Sequence, residues 1–172
     1  AGVTMVATGD SHACAVKDGE MYCWGHNAHG MFGNGTTEGS NVPVKVPQWG
    51  TNIAAISTGM WHTCVLTTEG AVKCSGGFAS AAQTIDPTPF SGLESGVTAI
   101  AYNNGYMSEI FCAIQNGALK CMGYNDFGQL GNGSTSTTIL KSMQQVQGLE
   151  SGVTAVALGF RHGCAIKDEK LY

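Results

Sequence analysis

Histidine and cysteine recur together in this chain at spacings that could do chemistry. His12, Cys14 and Cys23 form one set, and His62, Cys64 and Cys74 a second. Residues two apart on a strand share a face, so each histidine would project beside its first cysteine. Imidazole and thiolate are zinc ligands, and a His-Cys-Cys trio holds the metal with one position open. The competing chemistry is oxidation, with each pair of cysteines closed as a disulfide. The third set discriminates, because Ile110 precedes Cys112 and Cys121 where the histidine would stand. Disulfides are therefore expected, with no metal and no cofactor.

The elements that would position these thiols are hairpins. Cys112 to Cys121 reads Cys-Ala-Ile-Gln-Asn-Gly-Ala-Leu-Lys-Cys. Asn-Gly favours a two-residue type I′ turn, since both central residues need positive φ. Folded about Asn116-Gly117, the stretch sets Cys112 against Cys121 at a non-hydrogen-bonded site, where Cα atoms lie about 4.5 Å apart, just inside disulfide range. Cys14 and Cys23 pair in the same register about Asp18-Gly19, and Cys64 and Cys74 about Thr68-Glu69-Gly70. Cys164 begins a fourth hairpin whose partner would lie beyond Tyr172, so it is expected to be unpaired. The chain then reads as part of a longer repeat protein, or as one whose ends are completed by something else. Hairpin disulfides imply an oxidising compartment, extracellular or cell-surface, with the periplasm as an option.

The first cysteines fall at 14, 64, 112 and 164, a period near fifty residues. A short β-rich stretch precedes each: Val3–Gly9, Ile53–Gly59, Val97–Tyr102 and Val153–Gly159. A Gly-rich connection follows the second cysteine, full in the first and third units and shortened in the second. Units of three or four short strands at this period read as propeller blades, here about 3–52, 53–96, 97–152 and an incomplete 153–172. The fold class is all-β. Among 172 residues, 43% are hydrophobic, only 12% are charged and 25 are glycine, which suits a turn-dense β chain. A net charge of −4 without a basic cluster argues against nucleic acid as partner. No apolar run approaches the roughly 18 residues of a membrane helix.

Gly-x-x-His-x-Cys, a Gly turn, then Cys-Trp-Gly-x-Asn-x-x-Gly-x-x-Gly-x-Gly-Thr resembles the regulator of chromosome condensation repeat, in the Cys-containing version of secreted bacterial repeat proteins. The resemblance spans three complete repeats and part of a fourth. It implies a seven-bladed propeller, of which the chain holds about three and a half blades, and makes the histidines core residues. Resemblance to the family's nuclear exchange factor would imply guanine-nucleotide exchange, but oxidised hairpins and the lack of an inserted wedge loop argue otherwise.

The resemblance implies a rigid platform for protein binding. Trp24, Trp61, Phe32, Phe127 and Leu130 are expected to pack between blades. The Gly33/Gly35 and Gly131/Gly133 pairs lack the strand-loop-helix context of a phosphate loop. Asn34-Gly-Thr36 and Asn132-Gly-Ser134 are formal glycosylation sequons but also read as turns. No nucleophile elbow, paired carboxylates or His-Glu-x-x-His motif is present, so no catalytic residue is assigned and the chain is not expected to be an enzyme. Binding is expected from loops that break the repeat: Asn103–Glu109, Phe78–Pro89 and His26–Met31, with Tyr102, Tyr106, Met107, Phe78, His26 and His29 as contact residues. Two other readings stand beside a protein-binding module. One is an inhibitor of a secreted hydrolase, acting through an exposed patch of Tyr102, Tyr106 and Met107. The other is a structural protein that assembles with further copies or the remainder of itself.

Overall fold

The computed structural model describes residues 2–77, 83–103 and 109–172. Strands β1 (Val3–Thr8), β2 (His12–Lys17), β3 (Glu20–Gly25) and β4 (Ser40–Lys45) form one sheet. A second holds β5 (Ile53–Thr58), β6 (His62–Thr67), β7 (Val72–Gly76) and β8 (Thr84–Pro89). A third holds β9 (Val97–Tyr102), β10 (Ile110–Gln115), β11 (Ala118–Asn125) and β12 (Ser136–Gln145). The fourth has β13 (Val153–Leu158), β14 (Gly163–Lys167) and β15 (Lys170–Leu171). Every sheet is an antiparallel meander in sequence order, and the first strands β1, β5, β9 and β13 touch in succession. This is the all-β architecture of propeller blades set around an axis.

The hairpins follow from their turns. Asp18-Gly19 and Asn116-Gly117 carry φ values of 52° and 80°, and 52° and 78°, the paired positive φ of a type I′ turn. Gly70, at φ 79°, supplies the left-handed residue of the three-residue turn. Cys14 pairs with Cys23, Cys64 with Cys74 and Cys112 with Cys121 in strand register. All three pairs are disulfides with Cα atoms 4.1 Å apart. Cys164 lies in β14 as an exposed free thiol.

A blade has two apolar faces and cannot bury either alone, so the core divides among the seams. Cys14, Met21, Cys23, Phe32, Val46 and Trp49 of the first blade close on Ile53 and Val65 of the second. Cys64, Leu66, Val72 and Cys74 of the second meet Phe111, Ala113 and Met122 of the third. Ile110, Leu119, Leu130 and Val146 of the third meet Val153 and Ala165 of the fourth.

The structure corrects the expected seam aromatics. Phe32 and Leu130 are buried, but Trp61 is 37% and Phe127 62% exposed. Trp49, overlooked in the sequence, fills the first seam instead. It ends a short 3₁₀ turn, Pro47–Trp49, and its indole donates to the Phe32 carbonyl at 2.7 Å.

Candidate functional site

In a four-stranded meander the first and third connections emerge at one end, and the second emerges at the other. The described first and third connections therefore gather at one end of the molecule. Residues 26–39 join β3 to β4 there, and residues 59–61 join β5 to β6. Residues 126–135 and 159–162 do the same between β11 and β12 and between β13 and β14.

A buried asparagine shapes each long loop. The Asn27 side-chain oxygen accepts from the Phe32 amide at 2.8 Å, and its NH₂ donates to the Thr36 and Glu38 carbonyls, both at 3.0 Å. Asn125 repeats this with the Leu130 amide at 3.0 Å and the Ser134 carbonyl at 2.9 Å. Within the same loops, Thr36 and Ser134 hydroxyls donate to Asn34 and Asn132, each at 2.9 Å, so both sequons form turns. The loop thereby drives Phe32 or Leu130 inward and turns the residue two past the asparagine outward.

Those outward residues are His29 and Phe127, and each meets the following blade. The His29 ring lies 5.2 Å from the Trp61 ring. Phe127 lies 4.6 Å from the guanidinium of Arg161, which also stands 5.1 Å from Phe160. Trp61 and Arg161 occupy one repeat position, since Gly59-Met-Trp-His aligns with Gly159-Phe-Arg-His. Two blade junctions thus present an exposed ring-on-ring or ring-on-cation pair at the same end. Phe160 is 53% exposed. His26 is exposed and His29 half-buried beside it, with ring centroids 6.4 Å apart. Sequence reasoning missed Phe160 and Arg161, although alignment of the two Gly-x-x-His turns would have found them.

Tyr102 does not belong to an exposed patch. It ends β9, and its ring sits 4.0 Å edge-on from His62 and 6.1 Å from Phe111, in the seam between the second and third blades. Burial, then the neighbouring Glu109, pushes its phenol well above the ordinary tyrosine range. The hydrolase-inhibitor reading therefore loses Tyr102 as a contact, while Phe78, Tyr106 and Met107 lie outside the described residues. The loop's two ends are anchored inside. Asn103 accepts from the Ile110 amide at 2.7 Å and donates to the Phe160 carbonyl at 2.9 Å, and Glu109 is buried.

The sequence's zinc trios are occupied otherwise. Their cysteines are oxidised, and among the described residues no three His, Cys, Asp or Glu side chains cluster as a metal site. His12 Nε2 lies 2.9 Å from the Thr63 hydroxyl. Burial, reinforced by His26, lowers the His12 pKa to about 4, and burial with His12 lowers that of His62 to about 3. Both are neutral core residues at neutral pH. No helix among the described residues is long and apolar enough to cross a membrane.

Comparison with known proteins agrees with this geometry. The family model for the regulator of chromosome condensation (RCC1) repeat matches residues 18–66 and 116–166, and a second model of that repeat matches residues 3–30. The Ultraviolet-B receptor UVR8 of Arabidopsis thaliana is 28% identical over 183 residues, 99% of this chain and 40% of the receptor. The human E3 ubiquitin-protein ligase HERC2 is 29% identical over 173 residues, 95% of this chain and 4% of the ligase. Yeast RCC1 (Prp20), solved bound to Kap60, superposes with a TM-score of 0.78 at 23% identity, over 96% of this chain and 40% of that one. The chain spans less than half the length of each of these proteins. Repeat motifs, blade topology and family models coincide: the chain belongs to the regulator of chromosome condensation repeat family.

Proposed function

We propose that this chain is an extracellular or cell-surface module that binds protein without catalysis, through the end of the propeller that carries His29, Trp61, Phe127, Phe160 and Arg161. The recurrence at two blade junctions of an aromatic ring set against a ring or a cation is the observation that carries the reading. Aromatic and arginine side chains are enriched among the residues that dominate protein interfaces, because each buries a large area with little rotamer freedom to lose. Yeast RCC1 in complex with Kap60 is a protein-binding propeller of the same fold. The net charge of −4 favours protein over nucleic acid as partner. Three disulfides stapling the hairpins support an oxidising location.

The test is crosslinking of the chain to proteins exported by its source cells, read by mass spectrometry. Trp61→Ala with Arg161→Ala should remove the crosslinked partners. Glu69→Ala, in a turn at the opposite end, should keep them. Equal capture by both variants removes the aromatic end as the binding face. A free-thiol count on protein isolated without reductant tests the location, and reduced Cys14, Cys64 and Cys112 would overturn it.

A further inference from the structure

The three seams are not sealed alike. In the first, the loop of residues 26–39 inserts Phe32 and then crosses to the second blade. The Ser75 hydroxyl donates to the Gly30 carbonyl at 2.7 Å, and the Gly35 amide donates to the Ile85 carbonyl at 2.9 Å. In the third seam Leu130 takes the place of Phe32. The second blade makes the corresponding connection with residues 77–83 alone, half the length, between Gly76 and Thr84 in the register that joins Gly25 to Ser40. Among the described residues none stands where Phe32 or Leu130 would.

A crevice of about 570 Å³ opens at this seam between the outer strands of the second and third blades. Its floor is apolar, made by Phe90, Met122 and Met143, and Lys120, Lys141 and Ser142 stand on the third-blade wall. Among the described residues no carboxylate lines it. The Lys120 ammonium donates to a neutral acceptor, Gln115 Oε1, at 2.9 Å. Glu94, which is not among the lining residues, accepts from the Gly92 amide at 2.9 Å. The volume lies within the roughly 300–1,000 Å³ of small-molecule sites. Methionine side chains adapt to a flexible apolar guest, and unopposed ammonium groups favour an anionic head.

We propose that this crevice binds a fatty carboxylate of medium chain length, with its tail over Phe90, Met122 and Met143 and its head at Lys141 and Lys120. The site lies between the outer strands of two blades, and its lining includes none of His29, Trp61, Phe127, Phe160 or Arg161. An apolar tail alone would not select this cleft from the other seams, whereas the two lysines on its wall distinguish anion from cation.

Decanoate, titrated below its micelle concentration by calorimetry into the intact oxidised chain, is expected to saturate one site. Lys141→Glu should weaken it by about tenfold or more, and Ser142→Trp, which fills the opening from an exposed position, should abolish it. Lys17→Glu, a charge reversal on the first blade, should leave it unchanged. Decyltrimethylammonium, with the same tail and the opposite head, should bind at least about tenfold more weakly. The proposal is overturned if decanoate shows no saturable binding, or if Lys141→Glu and Ser142→Trp bind it like the parent. Equal affinity for the two amphiphiles also overturns it, as does binding of an apolar peptide's terminal carboxylate where decanoate does not bind. Circular dichroism confirms that each variant is folded, since both substituted residues are exposed.

Discussion

At the scale of single residues, the buried histidines make the protein's stability depend on acid. His12 and His62 titrate at about 4 and 3 when folded, against 6.5 when exposed. The unfolded chain therefore binds more protons across that interval. The stability this protects is complete above pH 6.5 and is lost as pH falls toward 4 and then 3. Each group sets a limiting slope of about 1.4 kcal/mol per pH unit. The third blade shows what the position accepts without titration, since Ile110 stands there, fully buried. His62→Ile should accordingly flatten the pH dependence of urea-unfolding free energy between pH 6.5 and 4 while leaving the fold intact. An unchanged profile would mean that His62 binds protons alike in the folded and unfolded chain. These histidines were legible as strand residues beside a cysteine. The resemblance implied that they are core residues, but not their partners, because Thr63 and Tyr102 come from other strands.

At the scale of elements, the hairpins were the most legible part of the chain, because turn and register are set within ten residues. Asn116-Gly117 alone dictates which cysteine faces which. Oxidation of that pair closes a loop of about ten residues, worth roughly 2–3 kcal/mol in the chain-entropy account. Cys112→Ala with Cys121→Ala should lower unfolding stability by about that amount, read from the urea midpoint. The long loops were half legible. Their glycines announced turns, but the organising role of Asn27 and Asn125 needed coordinates, since their partners lie up to eleven residues away. Asn27→Ala leaves the buried Phe32 amide without its partner, which costs about 1–3 kcal/mol, whereas the Thr36 and Glu38 carbonyls belong to exposed residues and can turn to water. The expected loss is about 1–3 kcal/mol, with His29 displaced from Trp61 and the Trp61 fluorescence changed. Aromatic residues misled where they sat at loop margins. Tyr102 borders the irregular stretch and looks like a contact residue in sequence, yet Gly59 leaves room for its ring inside the seam.

At the scale of the whole molecule, stability is divided among seams, and the seams differ. A repeat protein's stability is approximately the sum of its units and their nearest-neighbour interfaces, so the least sealed interface sets where the structure opens first. The first seam is plugged by Phe32, fully buried against Trp49, and latched by the Ser75 and Gly35 hydrogen bonds. The second seam keeps its inner packing, with Phe90 and Phe111 rings 5.3 Å apart, but is open on its outer side. Phe32→Ala should therefore cost about 3–5 kcal/mol, the range for a buried aromatic. Phe90→Ala, which truncates a half-buried ring beside an existing void, should cost about half as much or less. Native-state hydrogen exchange should show the same asymmetry. Amides of β12, whose Lys141, Ser142 and Met143 line the crevice, should exchange through openings of lower free energy than those of β4, the corresponding outer strand at the plugged seam. Equal costs for the two phenylalanines, with uniform protection of these strands, would mean that the shortened loop leaves the second seam as strong as the first.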